Sequence, residues 1–251
     1  TTNYILTKMT EEGMDFSDAL EKAQELGFAE ADPTSDVEGL DAGRKVAIMA
    51  SIAFHSRVVF PNVFTEGITK ITPADMEYAK ELGMTIKLLA TSRRIGDSFY
   101  AMVAPFLVGQ SSPLYSVNDV FNAVFVHGNM LGDAMFYGSG AGKLPTASAV
   151  VADVVDEAKH LNRNIMTMWK EEKLQLEDKA DSKRRFFVRI KGKEEELVPQ
   201  LKESYGEIEV VKVPELEGEF GFVTPVMMEG DYETRSKLYK EQIVHMIRIQ
   251  D

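Results

Sequence analysis

The last third of the chain carries the tightest constraint on its fold. Short apolar, β-branched and aromatic stretches over 185–190, 208–213, 220–227 and 243–249 read as extended, and the stretches over 194–204 and 232–242 read as helical. A strand repeats every two residues and a helix every 3.6, so the pattern reads strand, helix, strand, strand, helix, strand. That βαββαβ succession predicts two split βαβ halves, a ferredoxin-like unit with two helices on one face of a four-stranded sheet. Many chemistries use this arrangement, so it fixes architecture and not function.

Upstream the pattern is helical first and extended later. Residues 3–9 form an amphipathic stretch, and Ser17 is placed to cap a second helix that Gly27 closes. Residues 32–36, Asp-Pro-Thr-Ser-Asp, are turn chemistry, because proline biases the residue before it away from the α region. A longer helix begins at Asp41, and Val46, Ile48, Ala50, Ile52 and Ala53 make it apolar nearly all round, which predicts burial. Thr72-Pro73-Ala74-Asp75 is a third start signal, ended by Gly83. Strands are expected over 85–90, 98–108, 123–127 and 134–137, with turns at Gly96-Asp97 and Gly128-Asn129. A helix over 145–161 places Val150, Val151, Val154 and Ala158 on one stripe. The charged stretch 169–183 marks a boundary. The expected fold is α+β: a mostly antiparallel sheet covered by helices on one face over residues 1–172, then the ferredoxin-like unit over 183–251.

Charge and composition exclude several functions. With 28 Lys+Arg against 40 Asp+Glu the net charge is −12, which argues against binding nucleic acid or an anionic membrane surface. No apolar run approaches the roughly 20 residues of a spanning helix, and no basic-then-apolar leader opens the chain. The absence of cysteine excludes disulfides, thiolate metal sites and a cysteine nucleophile, and fits a cytoplasmic protein. The four histidines have no metal-ligand spacing, so no metal site is expected. The chain begins with Thr, which reads as a fragment or a processed product.

Two clusters could carry chemistry. In the first, Lys45 lies one helical turn after Asp41, and the preceding loop contributes Glu30 and Asp36. A lysine among acids within an otherwise apolar helix is a proton donor or acceptor candidate; a cap with an ordinary i,i+4 ion pair also fits the spacing. The second cluster is the glycine-rich run 137–148, Tyr-Gly-Ser-Gly-Ala-Gly-Lys-Leu-Pro-Thr-Ala-Ser, passing from a strand into a helix. Free N–H groups there would meet an anion, while a tight turn without a ligand accounts for the same residues. Its spacing matches neither the dinucleotide fingerprint nor the Walker pattern.

Three segments, taken in order, resemble homoserine dehydrogenases: residues 1–6 (TTNYIL), residues 27–33 (GFAEADP) with Asp36, Val37, Gly39, Asp41 and Lys45, and residues 137–152 (YGSGAGKLPTASAVVA). The resemblance spans roughly residues 1–165. It implies hydride transfer with NAD or NADP between L-homoserine and L-aspartate 4-semialdehyde, on the route to threonine, methionine and isoleucine. It further implies that Glu30, Asp36 and Asp41 bind substrate, that Lys45 moves the proton, and that Gly138, Gly140, Ala141 and Gly142 lie beside the cofactor. It places dimerisation on the mid-chain sheet. The family's N-terminal dinucleotide domain, second active-site lysine and cation site have no counterpart in the chain, so the fragment is expected to fold and dimerise with little or no turnover. Residues 183–251 resemble an ACT regulatory domain in element order. Lys191-Gly192-Lys193-Glu194 stands where such domains carry Asp-x-Pro-Gly, so threonine feedback is not expected. The competing reading is a non-catalytic module, either amino-acid-binding and regulatory or purely dimerising, which would not require the Glu30, Asp41 and Lys45 constellation.

Overall fold

The computed structural model describes residues 1–140, 142–166 and 169–250. Four helices open the chain: α1 (Thr2–Glu12), α2 (Phe16–Glu25), the single turn α3 (Thr34–Val37) and α4 (Leu40–Phe54). Short strands β1 (Ser56–Arg57) and β2 (Phe64–Thr65) lead to α5 (Pro73–Glu81). Two hairpins follow, β3 (Met84–Ile95) with β4 (Ser98–Gly109) and β5 (Phe121–Gly128) with β6 (Gly132–Ser139), and then α6 (Lys143–Lys159). After β7 (Lys170–Lys173) and β8 (Lys183–Arg184) come β9 (Phe186–Lys191), α7 (Glu194–Tyr205), β10 (Glu209–Val211), β11 (Glu219–Val223), β12 (Met227–Met228), α8 (Glu229–Ser236) and β13 (Ile243–Ile249).

The expected α+β fold is present. One seven-stranded sheet runs β10-β11-β9-β13-β4-β2, with β3 along the other edge of β4. Four of its strands, in the order β10-β11-β9-β13, are each antiparallel to their neighbours and carry the ferredoxin-like order. Leu197 and Leu201 of α7 and Tyr232 of α8 bury against Phe186, Val188 and Phe222 on one face of this sheet. On the other face α1, α2 and α5 pack Ile5, Leu6, Met9, Ala19 and Tyr78 against Ile86, Leu107, Phe187 and Ile249. Thr72 and Asp75 form a reciprocal capping box at the start of α5, as the sequence predicts.

Several expectations need correction. β13 lies parallel to β4, pairing Arg248 with Phe106 and Ile249 with Leu107, so the ferredoxin-like strands continue the upstream sheet. β5 and β6 stand apart as a two-stranded ribbon. α6 buries no residue. α4, expected to be enclosed nearly all round, buries Val46, Ala47 and Ala50 but leaves Ile48 and Ile52 57% and 48% exposed. α2 starts earlier than expected, because Asp15 takes the extended cap conformation and Ser17 lies inside the helix. The strand expected over 220–227 stops at Val223, since Pro225 cannot donate to the ladder, and Met227–Met228 pairs with β8 instead.

Buried ion pairs close the seam between the two parts of the sequence. Arg189 on β9 donates to Asp75 of α5 at 2.8 Å and to Glu219 of β11 at 2.9 Å, while His245 Nδ1 lies 3.1 Å from Asp75 Oδ2. Arg248 on β13 lies 2.6 Å from Glu66 and 2.6 Å from Glu229. At this seam the ring of Tyr78 comes so close to β11 that a Cβ on Gly221 would sit 2.6 Å from Phe187 and 3.1 Å from Tyr78. Burial pushes the Asp75 carboxyl up, but His245 and Arg189 outweigh it and hold it at about 2.

Asp75→Ala strands the Arg189 guanidinium beside one remaining carboxylate, so a loss on the order of 3–5 kcal/mol is expected in urea unfolding. Because the folded value of Asp75 is depressed, its contribution is present above the ordinary carboxylate value of 3.8 and disappears as pH falls toward 2. Asp75→Asn should flatten that limb of an acid-unfolding titration, and an unchanged limb would refute the assignment.

Candidate functional site

The acid–lysine corner is built by two consecutive turns. Asp32 accepts from the backbone N–H of Thr34 at 3.1 Å and its hydroxyl at 2.6 Å, hydrogen bonds that hold its carboxyl below the ordinary range and fix the turn leading into α3. Gly39, at φ 74°, then reverses the chain into α4; a Cβ in its place would lie 3.1 Å from Val103. This presents Asp41 in the first turn of α4 and Lys45 one turn later.

Lys45 Nζ lies 2.6 Å from Asp41 Oδ2, with the two side chains 68% and 44% exposed. The expectation that Lys45 is enclosed by its apolar helix is therefore corrected: it lies on the uncovered face of α4, in line with Ile48 and Ile52. Asp36 stands at the same corner. Thr1 donates its hydroxyl to Asp36 at 3.2 Å. Glu30 is held through its backbone carbonyl, which accepts from Gln24 at 2.9 Å. Among the described residues its carboxylate has no hydrogen-bond or ion-pair partner. The corner thus joins Asp41 to Lys45, sets Asp36 nearby, and leaves Glu30 facing solvent.

The glycine-rich run lies at the end of the β5–β6 ribbon. Gly138 pairs with Asn122 across the ribbon, and Gly142, at φ 113°, caps α6. Ala141 lies outside the described residues. Gly138 has open space where a Cβ would be, and the first turn of α6 contains no acidic residue to neutralise its N–H groups. These features fit an anionic ligand such as a dinucleotide phosphate. Among the described residues no hydrogen bond or ion pair joins this run to Asp41 or Lys45.

A group that sequence reasoning passed over lies between these two features. Lys87 of β3 is 5% exposed, and its Nζ donates to Asn3 Oδ1 at 3.1 Å, Asn118 Oδ1 at 2.7 Å and the carbonyl of Val117. The only sequence signal is a lysine in an otherwise apolar stretch of strand. Among the described residues no group of three or more His, Cys, Asp or Glu is arranged to hold a metal ion.

Comparison with known proteins gives a consistent answer. Residues 1–155 match the family model for homoserine dehydrogenase. The chain is 47% identical over 165 residues to homoserine dehydrogenase of Bacillus subtilis and 54% identical over 165 residues to that of Mycobacterium bovis. These matches take in 66% and 64% of the chain but 38% and 37% of the two relatives, so the chain spans well under half of their length. A crystal structure of homoserine dehydrogenase from Thiobacillus denitrificans superposes on all of the chain and 62% of its own, with a TM-score of 0.87 at 30% identity. A hyperthermophilic archaeal homoserine dehydrogenase solved with NADPH covers 64% of the chain and 46% of its own, with a TM-score of 0.52 at 29% identity. On the family match, which spans more than half of its residues, the chain belongs to the homoserine dehydrogenase family.

Proposed function

We propose that this chain forms the catalytic and dimerisation part of an NAD- or NADP-dependent homoserine dehydrogenase, interconverting L-homoserine and L-aspartate 4-semialdehyde in threonine, methionine and isoleucine biosynthesis. The observation that carries this reading is the Asp41–Lys45 pair, 2.6 Å apart beside Asp36 and within the family match. Reducing the aldehyde places negative charge on its oxygen, which the Lys45 ammonium stabilises and protonates; in the reverse direction the neutral amine accepts the hydroxyl proton. Asp41, assigned to the substrate by the family resemblance, also holds Lys45 in place. The unpaired carboxylate of Glu30, with Asp36, is suited to the substrate's ammonium.

NAD or NADP supplies the hydride chemistry when bound. Gly138, Gly140, Ala141 and Gly142, in the run that precedes the acid-free first turn of α6 in sequence, would hold part of it. The uncovered face of α4 and the exposed stripe of α6 mark the surfaces that a further part of the protein encloses, and enclosure would strengthen the corner's electrostatics. We accordingly expect little or no turnover from this polypeptide alone.

The substrates and a second copy of the chain are the partners in this reading. A two-stranded ribbon is marginal by itself, and β5–β6 exposes Val126, Phe136 and Tyr137, so a homodimer closing on the ribbon is expected. Residues 1–172 and 183–251 are read as a catalytic and an ACT-like regulatory unit sharing one sheet, in a cytoplasmic protein to which the lack of cysteine is suited.

With the upstream dinucleotide-binding part restored, Lys45→Ala should lower kcat for homoserine oxidation by about 100-fold or more. A loss below about tenfold rejects the proton-transfer role. Glu30→Gln should act mainly on KM for homoserine. Sedimentation should give a dimer for the chain, and Phe136→Asp should shift it to monomer with unchanged circular dichroism; a monomeric unsubstituted chain rejects the ribbon interface. Titration with threonine should release no heat at the 183–251 unit.

A further inference from the structure

Two parts of the candidate site, the acid–lysine corner and the glycine-rich run, share no direct bond among the described residues, yet the reaction proposed above needs them in fixed register. One buried amine lies among the hydrogen bonds that connect them. Asn3, two residues from the Thr1 hydroxyl that donates to Asp36, offers its side-chain oxygen to Lys87 Nζ at 3.1 Å. From the other side the backbone carbonyl of Val117 and Asn118 Oδ1 also accept from it, the latter at 2.7 Å. The Asn3 amide donates in turn to the carbonyls of Asp119, at 3.3 Å, and Phe121, at 2.9 Å, and Thr7 Oγ1 accepts from the N–H of Asp119 at 2.9 Å. Phe121 pairs with Ser139 and Asn122 with Gly138, so this loop leads straight to the glycine-rich run.

Three N–H bonds of one ammonium thus meet three oxygens from two separate segments, and none of those oxygens carries a charge. Such a group is costly: burial pushes Lys87 down to about 8, opposed by the charge of Glu11 on α1. The neighbouring Asp119 carboxylate is turned to Lys8 at 3.5 Å and not to Lys87. Methionine or leucine would fill the same volume without that cost but could not gather polar oxygens from two segments.

We propose that Lys87 is a positioning residue: its ammonium pins the root of the β5–β6 ribbon to α1 and thereby sets the glycine-rich run in register with Asp36, Asp41 and Lys45. This inference rests on the functional reading above, so it is tested by a measurement that needs no turnover. The chain has no cysteine, so Lys87→Cys introduces the single thiol. Alkylating it in denaturant with bromoethylamine and refolding restores a side chain of lysine's length and charge; iodoacetamide gives a neutral adduct of similar bulk. Hydrogen–deuterium exchange is then followed over 118–123 and 137–140.

The substitution should lower protection there by about tenfold or more, the scale of losing charge-assisted hydrogen bonds, with the β3–β4 core unchanged. Aminoethylation should restore it and carbamidomethylation should not. Unaltered protection in Lys87→Cys, or equal rescue by the neutral adduct, overturns the proposal. Should that variant not refold, Asn118→Ala removes one acceptor and leaves Lys87 in place; it should loosen the same two stretches, and full protection in it is equally fatal. In the protein with its dinucleotide-binding part, the same substitution should raise KM for the nicotinamide cofactor more than it lowers kcat. If Lys45→Ala had no effect while this exchange pattern held, the functional reading would fail and the pin would stand.

Discussion

Asp75 is the point on which the two parts of the sequence converge. It caps its own helix through Thr72, receives the guanidinium of Arg189 from β9, and faces His245 from β13. A buried carboxylate with fewer partners would be driven to protonate; here the Arg189 guanidinium and the adjacent His245 outweigh burial and keep it ionised. The arrangement holds only if α5 lies across the ferredoxin-like sheet, so these pairs specify one docking of α5 on β9 and β11. Gly221, which leaves room for Tyr78 and Phe187, meets the same requirement sterically. Arg248 with Glu66 and Glu229 repeats the device where β13 meets β4.

The continuous sheet is a rigid base, and the residues proposed for chemistry stand at its margins. Asp41 and Lys45 project from the uncovered face of α4, and the glycine-rich run ends a ribbon that joins no larger sheet. Apolar residues left open beside them, Ile48 and Ile52 on α4 and the valines of α6, follow the same logic. In the proposed reading these open residues would line the place where substrate and cofactor bind, which the chain's own core cannot fill. Lys87 lies behind these margins, where a buried amine can transmit the position of one to the other.

Much of this was legible in the sequence. The period switches over 185–249 located every element of the ferredoxin-like unit, and Thr72-Pro73-Ala74-Asp75 and Gly83 bounded α5, because helical and extended spacings and cap chemistry are local properties. The spacing of Asp41 and Lys45 placed them on one helical face. What failed was the inference from apolar content to burial. The composition of α4 and α6 shows that they can be covered, while which side is covered depends on elements far away in the chain.

Local order of structure, the turn chemistry and the identity of the charged residues were therefore determined by the sequence itself. The tertiary structure alone decided that β13 lies parallel to β4, that β5–β6 stands free, that Arg189 meets Asp75, and that Lys87 bridges two segments. The physical reason is range. Propensity and capping act within a few residues, whereas strand register and buried charge pairing are free energies of contact between segments more than a hundred residues apart, visible only once the chain has folded.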